Sequence, residues 1–520
     1  MLAINIPADG LFLAVQNKAD GDFSQSRCEN IIEDYIDKFL QAKPDIILLN
    51  VCYRRSLTPS EVFDSYLYNI ETDENGYAKK DENGKTIKTF SPVTKQEVSK
   101  YFSSLLLCGR SLLNSQIDIY KTAVQKIKNA GCKVFLSVRM NDGHYTENVG
   151  INSSFALKNG SEYTIEKNGY ALNFSLKAVQ NYFCQYIEEL VSNYEVDGIE
   201  LDWLRFPTVL PQNLCSDFSI LNEYMRRIRT LLNRHDKDLD LAVRVLANEE
   251  DNLGNGVDVC QWIADGSVNI VTIENFYIPT NYELPVSEWQ EHIERRNTHR
   301  LPYKIFCGTD WAVSCVRRYN IAMTPSLVRG FVDTCYQKGA DGVYLFNFFE
   351  ENGTSSLELI VDEKGEASLK NCFLSRLKAA NEWDTFPRRY IHIGASNNRY
   401  PILLQAGETY NFQSQIKGSF GNVKVTVGLD RDERVAVFFN QSSAQFFMKT
   451  EQCIAGFEYI SEAEIEKDSE FIYSVSQAAP CIKTLSFLRS AFEDGEIKIG
   501  VKNESLKPLK ILWLEISFET

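Results

Sequence analysis

Several features that define common protein classes are missing from this chain of 520 residues. Only five histidines are present, and neither an HExxH motif nor a paired-histidine cluster indicates a zinc hydrolase. The GxGxxG and GxxxxGKS/T loops and the GxSxG elbow are also absent, which argues against a nucleotide cofactor and a serine hydrolase. The sequence therefore predicts a protein that needs no metal and no organic cofactor.

The chain also lacks a net positive charge and long apolar runs. The net charge is −15, so a nucleic-acid backbone or an anionic membrane surface is a poor partner. No apolar run is long enough to span a bilayer. Residues 1–7 read as a strand and lack the regions of a signal peptide, which predicts a cytoplasmic protein or a chain whose signal has been removed.

The cysteines favour the cytoplasmic prediction. Thirteen are scattered between Cys28 and Cys481, an odd number, and no two form a CxxC pair. That pattern predicts reduced thiols that pack as small apolar groups, because disulfide frameworks and zinc sites show paired spacing.

The chain does contain a regular alternation of strand and helix patterns. Eight strand-like runs are present, most of them followed by an amphipathic helical pattern: 2–7, 45–52, 132–141, 196–204, 239–246, 268–277, 303–310 and 340–348. Such alternation predicts a parallel sheet, and eight repeats predict closure into a (β/α)8 TIM barrel, an α/β fold.

The pattern changes from about residue 385, where short strands separated by turns replace the helical period. That spacing predicts a C-terminal all-β, β-sandwich-like domain, which either binds carbohydrate or only supports the barrel. The predicted domains are therefore a barrel over 1–384 and an accessory domain over 385–520.

Two connections after barrel strands are unusually long, 53–110 and 143–174. The first contains two Asn-Gly pairs that suit hairpin turns. Long loops of this kind build a substrate pocket or a contact between subunits, so a homo-oligomer is compatible with the sequence.

The segment 196–207 carries the densest chemistry, because acids alternate with apolar residues along a strand. Ile199, Leu201 and Trp203 would face the helices. The opposite face carries acids and a following arginine, Glu200, Asp202 and Arg205. Charged residues at the carboxyl ends of barrel strands form active sites, although these could also form an ion pair inside the barrel.

The same alternation predicts further inward-facing polar residues at other strand ends. Strand three turns Arg139 and Asn141 inward, with Asp142 and His144 on the loop beyond. A carboxylate beside a histidine at a barrel mouth can orient its ring and raise its pKa. The other strand ends contribute Arg244, Glu274, Asp310 and Asn347. Acids, arginines and amides together suit a polyhydroxylated anionic ligand, meaning a sugar acid.

The motifs Arg-Met-Asn-Asp-x-His after strand three and Glu-Leu-Asp-Trp-x-Arg-Phe after strand four resemble those of glycoside-hydrolase-like barrels. The second motif also resembles chitinase-type barrels, but Leu204 stands where those enzymes carry the catalytic glutamate. Within the broader group the chain resembles the inverting exosialidases over about residues 1–380.

This resemblance implies roles for particular residues. An aspartate after strand one and a histidine after strand three correspond to Asp9 and His144. The arginines that hold the sialic acid carboxylate correspond to Arg139 and Arg205, and an asparagine at strand eight corresponds to Asn347.

The sequence thus predicts an exo-acting, inverting glycoside hydrolase that releases a terminal sialic acid or a related acidic sugar from a glycan. Asp9 and His144 would be the acid and the base, in either order, with Asp142 orienting His144. One alternative is a retaining glycosidase for neutral sugars that uses Glu200 or Asp202 with Glu274. Another is a barrel without activity that binds glycans.

Overall fold

The structure is a computed structural model of the chain. It describes residues 1–7, 9–66, 68–90, 107–109, 111–112, 114–143, 152–157, 162–165, 171–235, 238–275, 282–310, 312–314, 320–322, 325–346, 387–392, 402–416, 422–439, 442–443, 447–450, 481–488 and 495–519.

Eight parallel strands pair into a closed barrel, which confirms the predicted fold. The strands are β1 (Leu2–Ile6), β2 (Ile46–Asn50), β3 (Lys133–Arg139), β4 (Gly198–Asp202), β5 (Asp240–Leu246), β6 (Ile270–Glu274), β7 (Lys304–Thr309) and β8 (Gly342–Leu345). Around the barrel they follow chain order, and β8 closes the ring against β1. Each strand lies within one of the eight predicted runs.

The lower part of the barrel is filled by apolar side chains. Inward-facing residues of seven strands or their ends form one buried cluster, namely Ala3, Ile46, Leu48, Phe135, Ala242, Ile270, Phe306, Tyr344 and Phe346. Because side chains alternate along a strand, positions two residues further on also face inward. On β3 and β4 those positions carry Ser137 and Arg139, and Glu200 and Asp202, so the polar residues lie above the apolar layer.

Helices with one apolar face alternate with the strands. Those in the barrel region are α1 (Gly10–Lys18), α2 (Gln25–Leu40), α3 (Ile119–Asn129), α4 (Ser154–Leu157), α5 (Lys177–Asn193), α6 (Ser219–Leu232), α7 (Glu249–Gly254), α8 (Val259–Ala264) and α9 (Val286–Arg296). In α2, for example, Ile32, Tyr35, Ile36 and Phe39 are buried at helical spacing, as the sequence pattern predicts. A further helix, α10, spans Pro325–Gln337.

The loop after β2 contains the expected hairpin. Tyr68–Ile70 pairs with Lys88–Phe90, and both Asn-Gly turns place glycine at positive φ, Gly76 at 81° and Gly84 at 77°. A Cβ at Gly76 would lie 2.1 Å from the Ala178 carbonyl oxygen, so the first turn packs tightly against α5. Glycine is required there for both backbone conformation and space.

The C-terminal region is a β-sandwich, as predicted. Its strands are β9 (Arg388–Ile391), β10 (Ile402–Leu404), β11 (Thr409–Ile416), β12 (Asn422–Leu429), β13 (Val435–Phe439), β14 (Ser442–Ser443), β15 (Phe447–Thr450), β16 (Cys481–Leu488), β17 (Gly495–Asn503) and β18 (Leu509–Glu519). One sheet has six strands in the order β9-β18-β12-β16-β15, with β10 also paired to β18, and the other has the order β11-β17-β13-β14. Buried side chains of both sheets, such as Val425 and Ile499, form one core.

The chain divides into two compact units that are interleaved in sequence. The first is Met1–Phe276, Val286–Gly308 and Asp341–Glu351, and the second is Tyr277–Pro285, Thr309–Ala340 and Asn352–Thr520. The predicted boundary at 384 lies outside the described residues and remains a prediction.

Two expectations drawn from the composition concern the cysteines and membrane-spanning segments. Nine cysteines have described side chains, and all nine are buried and free of disulfide bonds. In the described part of the chain, no helix is both long enough and apolar enough to cross a membrane.

Candidate active site at the carboxyl ends of the barrel strands

A buried ion-pair layer joins three strands near their carboxyl ends. Register places Asp202 of β4 beside Arg244 of β5, and Arg244 Nη1 lies 3.1 Å from each Asp202 carboxylate oxygen. The Arg244 Nε donates to Glu274 Oε2 of β6 at 2.9 Å. The guanidinium also lies over the ring of Phe346, 3.6 Å from its centre. Arg244 thus balances two carboxylates that would be costly to bury alone.

Glu200 occupies the next position inward on β4. Its Oε1 accepts hydrogen bonds from Ser137 Oγ at 2.7 Å and from the Tyr344 hydroxyl at 2.9 Å. Its Oε2 is buried and has no hydrogen-bond partner. Burial and, to a smaller extent, the nearby Asp202 charge raise the pKa of Glu200 to about 8, although Arg244 and the hydrogen bonds from Ser137 and Tyr344 oppose the rise. Glu200 is therefore largely a neutral carboxylic acid at pH 7.

These contacts bear on the predicted role of Arg244 and on the alternative of a retaining glycosidase. In the structure Arg244 contacts two protein carboxylates and an aromatic ring, and its predicted contact with a ligand stays a prediction. Asp202 and Glu274 are both bound by Arg244, and Glu200 lies deeper. The retaining alternative, which needs two carboxyl groups on either side of a sugar, also stays a prediction.

Asp9 follows β1 and precedes the first turn of α1. Its side chain is 2% exposed and makes no capping hydrogen bond to the helix. Burial raises the pKa of Asp9, whereas a hydrogen bond from its own backbone, the Arg139 charge and the Tyr53 hydroxyl act to lower it. Its Oδ1 is buried without a hydrogen-bond partner. Asp9 is thus a buried carboxyl group with one unsatisfied oxygen.

Arg139 lies at the end of β3, close enough to Asp9 for their charges to interact. Its Nη1 pairs with Asp142 Oδ2 at 2.6 Å, and its guanidinium lies 4.5 Å from the centre of the Tyr53 ring. The Arg139 Nε is buried without a hydrogen-bond partner. Asp142, predicted to orient His144, therefore holds an arginine in place.

Asn141 joins loops at the barrel mouth. Its Oδ1 accepts from the Leu172 backbone N–H at 2.9 Å, and its Nδ2 donates to the Thr208 carbonyl at 2.9 Å. The amide is 4% exposed and is satisfied by backbone groups. The side chain therefore connects two loops, and its predicted role as a ligand contact stays a prediction.

Arg205 lies beyond β4 and is 9% exposed, with its guanidinium 5.1 Å from the centre of the Phe346 ring. One expectation was that Arg205 neutralises Asp202 or Glu200. In the structure Asp202 pairs with Arg244. Arg205 and Arg244 thus both lie against the Phe346 ring, and Arg244 also pairs with its two carboxylates.

Three predicted residues cannot be placed in this group. His144 and Asn347 lie outside the described residues. Asp310 is half-buried and belongs to the second compact unit, where its carbonyl accepts from Thr309 Oγ1 at 3.1 Å.

Two asparagines that the sequence reasoning did not select also point into the barrel. Asn5 of β1 and Asn50 of β2 share the inner face with Ala3 and Leu48 and are at most 1% exposed. None of their side-chain nitrogen or oxygen atoms has a hydrogen-bond partner. The sequence signal for these two residues was a single amide within an otherwise apolar strand. Such an amide stands out because buried polar groups usually have hydrogen-bond partners.

The site can therefore supply a carboxyl group, an arginine with a free N–H and several neutral hydrogen-bonding groups. In the described part of the chain, no group of three or more His, Cys, Asp or Glu is arranged to hold a metal ion. These buried groups lie near the carboxyl ends of the barrel strands, where such folds carry their chemistry.

Comparison with known proteins finds no matching family model and no matching curated protein. Among solved structures, the chain is similar to the glycoside hydrolase domain of PgaB (BpsB) from Bordetella bronchiseptica, at 9% identity and a TM-score of 0.37, over 66% of this chain and 92% of that one. It is also similar to a noncanonic maltogenic α-amylase, AmyB, from Thermotoga neapolitana, at 11% identity and a TM-score of 0.37, over 100% and 99% of the two chains.

A chitinase from Chromobacterium violaceum is similar at 10% identity and a TM-score of 0.33, over 66% of this chain and 93% of that one. Scores this low bear on neither substrate nor mechanism. The fold assignment rests on the chain's own strand pairing, which defines a (β/α)8 barrel protein. The resemblance to inverting exosialidases gains no support from these comparisons.

Proposed function

We propose that the protein is an exo-acting glycoside hydrolase that releases a terminal acidic sugar, such as a sialic acid, with inversion. The observation that carries this proposal is the proximity of Asp9 to Arg139. Both are buried, their charges interact, and each keeps one hydrogen-bonding atom unsatisfied. Such atoms are rare in proteins and suggest a ligand that completes them.

Arg139 suits a carboxylate on that ligand. Its Nη1 is held by Asp142, which fixes the plane of the guanidinium, and its unsatisfied Nε is available for an anion. A charge-assisted hydrogen bond of this kind is stronger than one between neutral groups. The ligand's remaining hydroxyl groups would find amides at Asn5 and Asn50.

Asp9 suits the role of general acid. Its raised pKa favours the protonated form, which can give a proton to the departing glycosidic oxygen as the C–O bond breaks. A water molecule then attacks the anomeric carbon from the opposite face and loses its proton to a base. With Asp9 as the acid, His144, the other member of the sequence-predicted acid–base pair, would be that base.

The experiment is a hydrolysis screen with aryl glycosides of neutral and acidic sugars, including a sialoside and its methyl ester. We expect turnover of the sialoside and at least tenfold less of the ester, because the ester lacks the anion that Arg139 would bind. Proton NMR of the first-formed sugar should show inverted anomeric configuration. Preferential turnover of neutral glycosides, or binding without any turnover, would overturn the proposal.

A further inference from the structure

An apolar cavity lies where the loop after β2 faces the beginnings of α1 and α3. It contains about 600 Å³ of empty space, part of it open to solvent. Its lining includes the aliphatic and aromatic side chains of Phe12, Leu57, Tyr66, Leu112, Ile117 and Tyr120.

A residue that lines the cavity shares the first turn of α1 with Asp9. Phe12 follows Asp9 by three residues, and the Leu13 N–H donates to the Asp9 carbonyl at 2.8 Å, so Phe12 and Asp9 lie on one side of the first turn of α1. On the other wall, the Tyr120 hydroxyl donates to the carbonyl of Asn50 at 2.9 Å. Residues that line the cavity therefore lie at the carboxyl ends of β1 and β2.

Tyr66 contributes a buried polar group to the cavity lining. Its ring lines the cavity, and its hydroxyl is buried without a hydrogen-bond partner. Burial raises the pKa of Tyr66 well above its usual value, the Asp142 charge raises it further, and the Arg139 charge opposes that rise. The Tyr66 hydroxyl thus lies within the electrostatic reach of the Arg139–Asp142 pair.

We propose that this cavity binds an apolar leaving group of the glycoside, with the Tyr66 hydroxyl hydrogen-bonded where the leaving group joins the sugar. The inference rests on the proposed function, in which Asp9 protonates the departing oxygen. The group attached to that oxygen must lie next to Asp9, and Phe12, which lines the cavity together with Leu57, lies on the same side of the first turn of α1 as Asp9. The protein therefore selects glycosides of alkyl or aryl alcohols.

The test uses alkyl glycosides of one acidic sugar, with methyl, propyl, pentyl and heptyl leaving groups of nearly equal acidity. Burial of each methylene is expected to raise kcat/KM about fourfold until the cavity is filled. Leu57→Trp, which fills the cavity, should abolish this dependence on chain length. Leu57→Phe provides the same test with a smaller change if Leu57→Trp melts early.

Tyr66→Phe should lower kcat/KM about tenfold for every chain length, because one hydrogen bond is lost. Tyr77→Phe, at an exposed tyrosine, is the matched control and should change nothing. Equal kcat/KM for all leaving groups in the wild type would overturn the inference. So would a chain-length dependence that persists in both Leu57 variants.

Binding of the corresponding alkyl thioglycosides, measured by calorimetry, separates this inference from the proposed function. Affinity that rises with chain length in the wild type but not in Leu57→Trp supports the cavity even where no glycoside is hydrolysed. Absence of hydrolysis then counts against the proposed function alone. Affinity that depends on substituents of the sugar and not on the alkyl chain would assign the cavity to the sugar and contradict the inference.

Discussion

Glu200 and Asp202 are two residues apart on one strand and face the same side, yet their environments differ. Asp202 is paired with Arg244, whereas Glu200 is bound by two hydroxyl groups from Ser137 and Tyr344. Alternation along β4 predicts that both face inward. It does not predict which cation meets which acid, because that depends on the register of β5 against β4.

At the residue scale, Arg244→Met should lower the free energy of unfolding by about 3–5 kcal/mol, since it leaves buried Asp202 without its described partner cation. Arg226→Met is the matched control. Arg226 pairs with Asp265 at 3.1 Å but is 48% exposed, and loss of such a surface pair costs about 1 kcal/mol or less. Urea denaturation measures both. Equal losses in the two variants would show that the barrel layer is not an ion pair of this strength.

Glu200 should make stability depend on pH. Its folded-state pKa of about 8 lies above the ordinary value of 4.5, so the folded state binds the extra proton. The contribution is fully present below pH 4.5 and is lost as pH rises to about 8, with a slope of up to about 1.4 kcal/mol per pH unit. Glu200→Gln should remove this slope in urea denaturation at pH 5–8. If the free energy of unfolding changed with pH equally in Glu200→Gln and the wild type, the raised pKa would not belong to Glu200.

At the scale of elements, the two long loops are joined by Asp64. Its Oδ1 accepts from the Ile70 N–H at 2.6 Å, and its Oδ2 accepts from Ser153 Oγ, Ser154 Oγ and the Phe155 N–H at 2.7, 2.8 and 3.1 Å. One buried carboxylate thus connects the loop after β2 to the loop after β3. The connection gives the wall beside the candidate site a fixed shape.

Asp64→Ala should therefore release both loops together. Amide hydrogen exchange at Ile70 and Phe155 is expected to accelerate at least about tenfold, while exchange in β2 stays unchanged. Asp64→Asn, which keeps one acceptor oxygen, should have a smaller effect. Acceleration confined to one loop would show that Asp64 does not couple them.

Much at the element scale could be predicted from the sequence, and the reasons for the rest are physical. Strand positions and inward faces follow from local alternation, which is why all eight barrel strands lie where expected. Contacts such as Asp64 with Ser153, or Asp9 with Tyr53, join loops that are far apart in sequence. Asn141 illustrates the limit, because a polar residue that faces inward can be satisfied entirely by backbone groups.

At the scale of the whole molecule, the sequence boundary at 384 cuts through one of the compact units. Helix α10 is held by the strand β9, because Tyr390 donates its hydroxyl to Asp333 Oδ2 at 2.5 Å and Arg329 Nη1 donates to the Pro387 carbonyl at 2.8 Å. A Cβ at Gly330 would lie 1.9 Å from the Arg389 carbonyl oxygen. α10 and β9 are therefore closely packed within that unit.

A fragment of residues 1–384 should consequently melt at a lower temperature than the full chain, since α10 loses these partners. Thermal unfolding followed by circular dichroism measures the difference, which we expect to exceed about 5 °C. Addition of the 385–520 fragment should restore part of it. A fragment that melts with the full chain would indicate that α10 needs no support from β9.

The central claim is that buried Asp9 donates a proton in the hydrolysis of an acidic sugar glycoside. The most direct measurement is kcat of Asp9→Asn on an aryl sialoside, alongside its melting temperature and the exposed control Asp20→Asn. The account predicts that Asp9→Asn loses at least about a hundredfold in kcat, the scale of a general acid, with little change in melting temperature. Asp20→Asn should match the wild type. Turnover by Asp9→Asn within a few-fold of the wild type would contradict the account.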